Sequence, residues 1–211
     1  MKCLNIRIVF FDMGGVLVPM ASSVQDFKHH VEAAFNINDF SYHSPKYAFV
    51  PDLFCKLETN KFDERGFWME FARALDKPHV ISFERFFTDI GSKGRLRPKL
   101  KELILQLKQK GIKTAIFSNT CDSLAQRHYR LGHYNLVDYS ILSHEVGLHK
   151  PDREIFLYAL GIANTAPEES LFVDDNEANI EGAKNIGMHT IHFMNTNQFF
   201  KELSLFGLPP S

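Results

Sequence analysis

The sequence has no apolar run long enough for a membrane helix, no paired cysteine motif and no excess of charge of one sign. A membrane helix needs about 20 apolar residues, so no spanning segment is expected. The three cysteines, Cys3, Cys55 and Cys121, lack C-x-x-C spacing, and such an odd count is typical of free thiols in a reducing compartment. The net charge of −1 provides no basic surface for nucleic acid. We therefore predict a cytoplasmic protein that binds neither membranes nor nucleic acid.

Short apolar segments alternate with amphipathic helical patterns along most of the chain. The predicted strands span residues 6–11, 112–117, 138–142, 170–174 and 188–193. The predicted helices between them span residues 97–110, 121–131, 152–160 and 176–186. Alternating strands and helices are typical of a parallel sheet covered on both faces. We predict an α/β fold with a Rossmann-like parallel sheet and helices on both faces.

Residues 19–94 have a helical pattern without a convincing strand. The helices predicted in this region lie near 22–35, 45–56, 63–75 and 82–91. An insertion of this length between the first two strands is too long for a simple crossover. We predict that residues 1–18 and 95–211 form the α/β core, and that residues 19–94 form a helical cap domain over the strand ends.

Polar residues follow the first two predicted strands directly. The first strand, I-V-F-F, ends at Asp12, and a carboxylate at a strand end is a common nucleophile or metal ligand. The second strand ends in Ser118 and Asn119, where a hydroxyl and backbone N–H groups suit an anion such as phosphate. The alternative for Ser118 and Asn119 is a plain helix N-cap.

Two further polar sites follow later strands. Asp174 and Asp175 come directly after an apolar strand, where two adjacent acids are costly unless they bind a cation or capping groups. Oxygen ligands indicate Mg²⁺ rather than zinc. Lys150 precedes Pro151, a residue suited to the first turn of a helix. Lys150 is either a site residue or a solvated surface charge.

Four segments, in this order, resemble the motifs of the haloacid dehalogenase (HAD) superfamily. They read F-F-D-M-G-G-V-L, I-F-S-N-T, G-L-H-K-P-D and F-V-D-D-N-E-A-N-I-E-G-A. The helical insertion is similar to a type-1 cap, and the last two strings resemble the branch of bacterial α-glucose-1-phosphate phosphatases. The resemblance implies a Mg²⁺-dependent hydrolase acting on a small phosphorylated metabolite such as a sugar phosphate. We expect a monomer or a homodimer.

The resemblance also implies a role for each matching residue. Asp12 is the implied nucleophile, which forms an aspartyl-phosphate. Lys150 is the implied catalytic cation that neutralises charge on the nucleophile and the phosphoryl group, to which Ser118 and Asn119 also bind. The implied Mg²⁺ ligands are Asp12, the backbone carbonyl of Gly14 and Asp175, with Asp174 as a direct or water-mediated helper.

Gly14 departs from the pattern of most phosphatases of the superfamily, which have an acid–base Asp two residues after the nucleophile. A positioned acid–base group is typically worth about 10²- to 10⁴-fold in rate. Three outcomes remain open. The chain is a phosphatase whose substrate has a leaving group that needs little help from an acid. Alternatively, it is a hydrolase of another chemistry, such as a 2-haloacid dehalogenase, or a weakly active protein that binds a phosphate ligand or a partner.

Overall fold

A parallel sheet of five strands forms the centre of the computed structural model, which describes residues 5–19, 21–77 and 95–209. The strands are β1 (Ile8–Phe11), β2 (Lys113–Ser118), β3 (Tyr139–Leu142), β4 (Ser170–Asp174) and β5 (His189–His192). Their order across the sheet is β3-β2-β1-β4-β5, and every neighbouring pair is parallel. The predicted α/β fold is confirmed, with strand bounds within two residues of those expected.

Helices follow the strands in the alternating order that the sequence predicts. The helices of the described residues are α1 (Ala21–Phe35), α2 (Val50–Glu58), α3 (Glu64–Ala74), α4 (Pro98–Gln109), α5 (Asp122–Arg130), α6 (Ser143–Val146), α7 (Arg153–Ala163), α8 (Glu177–Asn185) and α9 (Thr196–Leu203). None of these helices combines the length and apolar content that a membrane span requires.

Two apolar layers cover the two faces of the sheet. Successive side chains of a strand point to opposite faces, and every residue of β1 is buried. Val9 and Phe11 belong to a layer with α4 and α9, whereas Ile8 and Phe10 belong to a layer with α7 and α8. The central strand is therefore enclosed on both faces, and only its ends are available for chemistry.

The helices between β1 and α4 have an apolar core of their own, which we call the aromatic cluster. Its buried members include Phe27 of α1, Leu57 of α2, and Phe67 and Trp68 of α3. Trp68 packs inside this cluster, as expected for a core residue. Cys121, which precedes α5, is buried against the same cluster, so the insertion contacts the sheet-bearing part of the chain there. The assignment of residues 19–94 as a separate cap domain stays a prediction.

The helix predicted over 45–56 is interrupted in the structure. A short 3₁₀ helix, Pro45–Tyr47, precedes α2, which begins at Val50. Pro51 lies in the first turn of α2, where its missing N–H costs nothing, whereas inside a longer helix it would remove a hydrogen bond. The helix predicted over 82–91 lies outside the described residues.

Two histidines near the end of α5 share a close contact. His128 Nδ1 lies 2.8 Å from His133 Nδ1, so one of these nitrogens donates and the other accepts. Burial, together with the nearby His133 and Arg127, lowers the pKa of His128 to about 4. The folded protein therefore holds His128 in its neutral form.

We predict that His128 makes the protein less stable as the pH falls. Its folded-state pKa lies below the unfolded value of 6.5, so the unfolded chain binds the proton more tightly and stability is lost between pH 6.5 and 4. The loss is on the order of 2–3 kcal/mol. Urea unfolding of wild type and His128→Gln at several pH values checks this. The variant should lose less stability across that window, and equal losses would contradict the prediction.

Candidate active site

The carboxyl ends of three neighbouring strands bring the predicted site residues together. Asp12 follows β1, and its backbone N–H donates to Val173 O of β4 at 2.9 Å. Ser118 and Asp174 are the last residues of β2 and β4, the strands on either side of β1. Because the strands are parallel, these side chains share one edge of the sheet.

Lys150 is a buried residue at the centre of this edge. Its side chain is 1% exposed, which excludes the solvated surface charge considered above. Its Nζ donates to Asp12 Oδ1 at 2.8 Å, to Asp174 Oδ2 at 2.7 Å and to the carbonyl oxygen of Phe117 at 2.8 Å. All three donors of the ammonium group are thus used. Lys150 fixes the positions of two carboxylates that are far apart in the chain.

Burial and the neighbouring charges together set the pKa values of these groups. The pKa of Asp12 is raised to about 7 because burial, helped by Asp174, outweighs the opposing effect of Lys150. For Lys150, burial lowers the pKa, but the two carboxylates outweigh burial and leave its pKa raised. Burial and Asp174 also raise the pKa of Asp175. Three carboxylates around one ammonium carry excess negative charge, which favours a bound cation.

Asp174 is held rigidly by the start of α8. Its Oδ1 accepts from the backbone N–H of Asn176 at 2.8 Å, and Asn179 Nδ2 lies 3.1 Å from both carboxylate oxygens. Asn176 in turn caps α8 by accepting from the N–H of Ala178. Both oxygens of Asp174 therefore already accept hydrogen bonds within the protein.

The donor set at this edge fits a hard divalent cation. Ligand oxygens of Asp12, Asp174 and Asp175 lie within 4.8 Å of one another. Mg²⁺ prefers oxygen ligands, so a set made up of carboxylate oxygens suits it. Since Asp174 is engaged by Lys150 and α8, Asp12 and Asp175 are better placed for direct contact with an ion. Gly14, the fourth predicted ligand, lies in the turn directly after Asp12, where it forms an isolated bridge with Val18.

Gly15 provides the space that Asp175 occupies. Its backbone φ is +76°, a conformation that favours glycine. A Cβ atom at this position would lie 2.0 Å from Asp175 Oδ2 and 2.4 Å from its Cγ. The absence of a side chain at Gly15 therefore lets the second acid of the pair approach the turn after Asp12.

Ser118 and Asn119, the predicted phosphate ligands, lie at the end of β2 beside Lys150. Ser118 is buried, and its Oγ donates to the carbonyl oxygen of Asn119 at 3.3 Å. The Asn119 amide binds the main chain of Lys150 twice, with Nδ2 donating to Lys150 O and Oδ1 accepting from Lys150 N, both at 2.9 Å. Asn119 thus positions Lys150, a role that the sequence did not indicate. Phosphate binding by Ser118 and Asn119 stays a prediction.

Arg97 is a positioning residue that was not predicted. Its Nε donates to Val16 O at 2.9 Å, its Nη2 donates to Gly15 O at 3.2 Å, and its backbone N–H donates to Leu17 O at 2.8 Å. The guanidinium also lies over the ring of Phe193. Arg97 therefore clamps the turn after Asp12 at the point where the chain enters α4.

A second unpredicted contact joins the insertion to the site. Glu58, the last residue of α2, has its Oε2 2.8 Å from His149 Nε2. His149 directly precedes Lys150, and its Nε2 also lies 2.9 Å from Asn119 Nδ2. The two residues are 91 positions apart in the chain, and no sequence pattern links them.

The comparison with protein families decides the assignment. The family model described as haloacid dehalogenase-like hydrolase matches residues 6–187. The chain belongs to this family of hydrolases. The match spans all the site residues described above, and the predicted superfamily is confirmed. The finer resemblance to α-glucose-1-phosphate phosphatases stays a prediction.

Several relatives are much longer proteins, and others match only part of this chain. Acyl-CoA dehydrogenase family member 10 of Mus musculus is 26% identical over 96% of this chain, and bifunctional epoxide hydrolase 2 of the same species is 27% identical over 94%. The chain spans only 19% and 38% of their lengths. A ribulose-1,5-bisphosphate 5-phosphatase of Halopiger xanaduensis is 36% identical over 46% of this chain and 42% of its own.

Solved structures of HAD proteins share the fold. A predicted HAD-like family hydrolase from Porphyromonas gingivalis has a TM-score of 0.72 at 24% identity, covering 95% of this chain and 97% of its own. A HAD family enzyme from Bacteroides thetaiotaomicron, in complex with magnesium and inorganic phosphate, has a TM-score of 0.66 at 21% identity, covering 92% and 99%. At these identities the likeness concerns the fold alone.

We predict that Gly15→Ala weakens cation binding at the carboxylate cluster. The new Cβ collides with Asp175 and forces its carboxylate away from Asp12. The Mg²⁺ concentration that half-saturates the thermal shift of the protein should rise at least about tenfold, the loss of one ligand contact worth about 1.4 kcal/mol.

Gly111→Ala is the matched control for this variant. Gly111 has a φ of +74°, no neighbouring atom lies within 4 Å of the place that a Cβ atom would take, and the residue lies at the opposite edge of the sheet, before β2. This substitution carries the same backbone strain without the collision. Equal Mg²⁺ affinity in Gly15→Ala and Gly111→Ala would contradict the role of Gly15.

Proposed function

We propose that this hydrolase is a Mg²⁺-dependent phosphatase that acts on a small phosphorylated metabolite through an aspartyl-phosphate on Asp12. The observation that carries the proposal is the buried Lys150 ammonium, 2.8 Å from Asp12 and 2.7 Å from Asp174, beside a cluster of three carboxylates. Phosphoryl transfer depends mainly on positioning and on charge stabilisation, and this arrangement supplies both.

Each residue of the site has a part in the proposed reaction. An oxygen of Asp12 attacks phosphorus, and Lys150 reduces the repulsion between that carboxylate and the phosphoryl oxygens. Ser118 and Asn119 orient the phosphoryl group at the end of β2. The residues that would hold Mg²⁺ are Asp12, the carbonyl of Gly14 and Asp175, with Asp174 acting directly or through a water molecule. A bound Mg²⁺ ion supplies further neutralisation of the phosphoryl charge.

Relatives support the choice of substrate and cofactor. One relative is a ribulose-1,5-bisphosphate 5-phosphatase, and a structural neighbour is crystallised with magnesium and inorganic phosphate. We extend both features to this chain as part of the proposal. A sugar phosphate as the substrate, a cytoplasmic location and a monomeric or homodimeric state belong to the same proposal.

A panel of phosphorylated metabolites separates the proposed activity from its alternatives. Release of inorganic phosphate with Mg²⁺ present and none with EDTA supports the phosphatase. Release of halide from 2-haloacids in EDTA would instead support dehalogenase chemistry. Phosphate-ester binding without turnover of any substrate would refute the phosphatase and leave a binding protein.

We predict that Asp12→Asn abolishes phosphate release while the fold is retained. The amide is a poor nucleophile, and it keeps the size of the carboxyl group beside Lys150. Steady-state assays on the best substrate of the panel give the rate, and thermal unfolding verifies the fold. Wild-type turnover in Asp12→Asn would refute the nucleophile assignment.

We predict that Lys150→Met lowers kcat by about 10²- to 10³-fold or more, the cost of removing one preorganised charge-stabilising group. Methionine fills the buried space but leaves Asp12 and Asp174 without their shared cation. Lys184→Met is the control, because Lys184 pairs with Glu181 on the exposed surface of α8. Lys184→Met should keep wild-type turnover. A Lys150→Met rate within about tenfold of wild type would contradict the assignment.

A further inference from the structure

The proposed reaction needs a proton carrier that Gly14 cannot supply. Departure of an alcohol requires a proton, and attack of water on an aspartyl-phosphate releases one. The carboxylates of Asp12 and Asp174 are both bound to Lys150. Burial raises the pKa of the Cys121 thiol to about 12, which leaves it protonated and a weak acid. Asp12, Asp174 and Cys121 are therefore poorly suited to carry this proton.

Glu58 and His149 form a pair of a carboxyl group and an imidazole, two groups that can carry a proton in catalysis. Glu58 Oε2 lies 2.8 Å from His149 Nε2, and the two side chains are 20% and 21% exposed. Both side chains are therefore in contact with solvent. His149 directly precedes Lys150 and contacts Asn119, which follows Ser118 at the end of β2. The pair therefore adjoins the strand end at which the phosphoryl group is proposed to bind.

Glu58 and Asn119 between them give His149 Nε2 a hydrogen-bond partner in either protonation state. Because Asn119 Oδ1 accepts from Lys150 N and Nδ2 donates to Lys150 O, the amide cannot turn, and its NH₂ group faces His149 Nε2 at 2.9 Å. A protonated Nε2 donates to Glu58. A bare Nε2 accepts from Asn119. His149 Nε2 can therefore lose its proton and still have a hydrogen-bond partner. A partly buried nitrogen without a partner would cost free energy.

We propose that Glu58 and His149 together are the proton carrier that takes the place of an acid–base residue at Gly14, an inference that rests on the proposed phosphatase function. As Asp12 Oδ bonds to phosphorus, the bond from phosphorus to the leaving oxygen breaks, and that oxygen takes the proton held between Oε2 and Nε2. The pair is left as a carboxylate and a neutral imidazole. Water then attacks the aspartyl-phosphate, the bond from phosphorus to Asp12 breaks, and the proton of the water returns to the pair.

This assignment sets the substrate class. With a proton carrier present, the substrates include phosphate monoesters of ordinary alcohols. The enzyme is not restricted to anomeric phosphates, whose leaving oxygen is less basic. The pair acts on the leaving group, so its contribution depends on how strongly that group needs a proton.

The test compares two esters in wild type, Glu58→Gln and His149→Gln. The leaving group of p-nitrophenyl phosphate departs without a proton, whereas that of glycerol phosphate needs one. For glycerol phosphate, kcat/KM should fall about 10²- to 10⁴-fold in both variants. For p-nitrophenyl phosphate, kcat/KM should stay within about threefold of wild type, because its leaving group needs no proton and kcat/KM does not include the later water attack.

A second readout follows the water attack. In both variants kcat for p-nitrophenyl phosphate should fall, and a burst of p-nitrophenol should precede the steady state as the aspartyl-phosphate accumulates. Asp52→Asn is the matched control, because Asp52 lies on the same helix, α2, and pairs with Lys56 on its exposed side. This control should keep the wild-type ratio of the two esters and show no burst.

The outcomes separate the two proposals. Equal losses of kcat/KM on both esters would overturn the proton-carrier role and make the pair a structural contact. The role is also overturned if wild type hydrolyses p-nitrophenyl phosphate but not glycerol phosphate or any other alkyl phosphate. If wild type releases phosphate from no ester in the presence of Mg²⁺, the phosphatase proposal fails, and the role of the pair fails with it.

Discussion

The buried ammonium of Lys150 is the interaction on which the site depends. Two carboxylates from different strand ends, Asp12 and Asp174, lie in low-dielectric surroundings only because one cation binds both. Breaking such a buried pair by removing one partner typically costs about 3–5 kcal/mol. The close approach of these carboxylate oxygens and the position of the proposed nucleophile, Asp12, both depend on this one ion-pair arrangement. The ammonium organises the site before any ligand arrives.

Neighbouring residues hold Lys150 by its main chain as well as by its side chain. Asn119 binds the backbone N–H and carbonyl of Lys150, and α8 packs tightly on the next residue, Pro151. A Cβ atom on Gly182 of α8 would lie 2.8 Å from the carbonyl oxygen of Pro151. The segment is thus fixed between β2 and α8, and the long lysine side chain is extended from a rigid base.

Local sequence patterns predicted the sheet and the carboxylates at its edge. They did not predict contacts between residues that are far apart in the chain. The apolar run before Asp174 sets both the strand and the position of the carboxylate at its end. Arg97 reaches carbonyl oxygens 81 and 82 residues away, and nothing in its local sequence distinguishes it from a solvated basic residue. The Glu58–His149 contact has the same origin, since it exists only after the insertion packs on the core. Helix α9 was not predicted, although Asn195 caps it with two hydrogen bonds.

The position of Glu58 at the end of α2 has a consequence for the modularity of this protein. Its partner His149 belongs to the sheet-bearing part of the chain, so the contact crosses the boundary between the insertion and the rest of the molecule. Exchanging the insertion for one whose second helix ends in a different residue would leave His149 without this partner. Such an exchange therefore keeps the contact only when both the glutamate and the histidine are present.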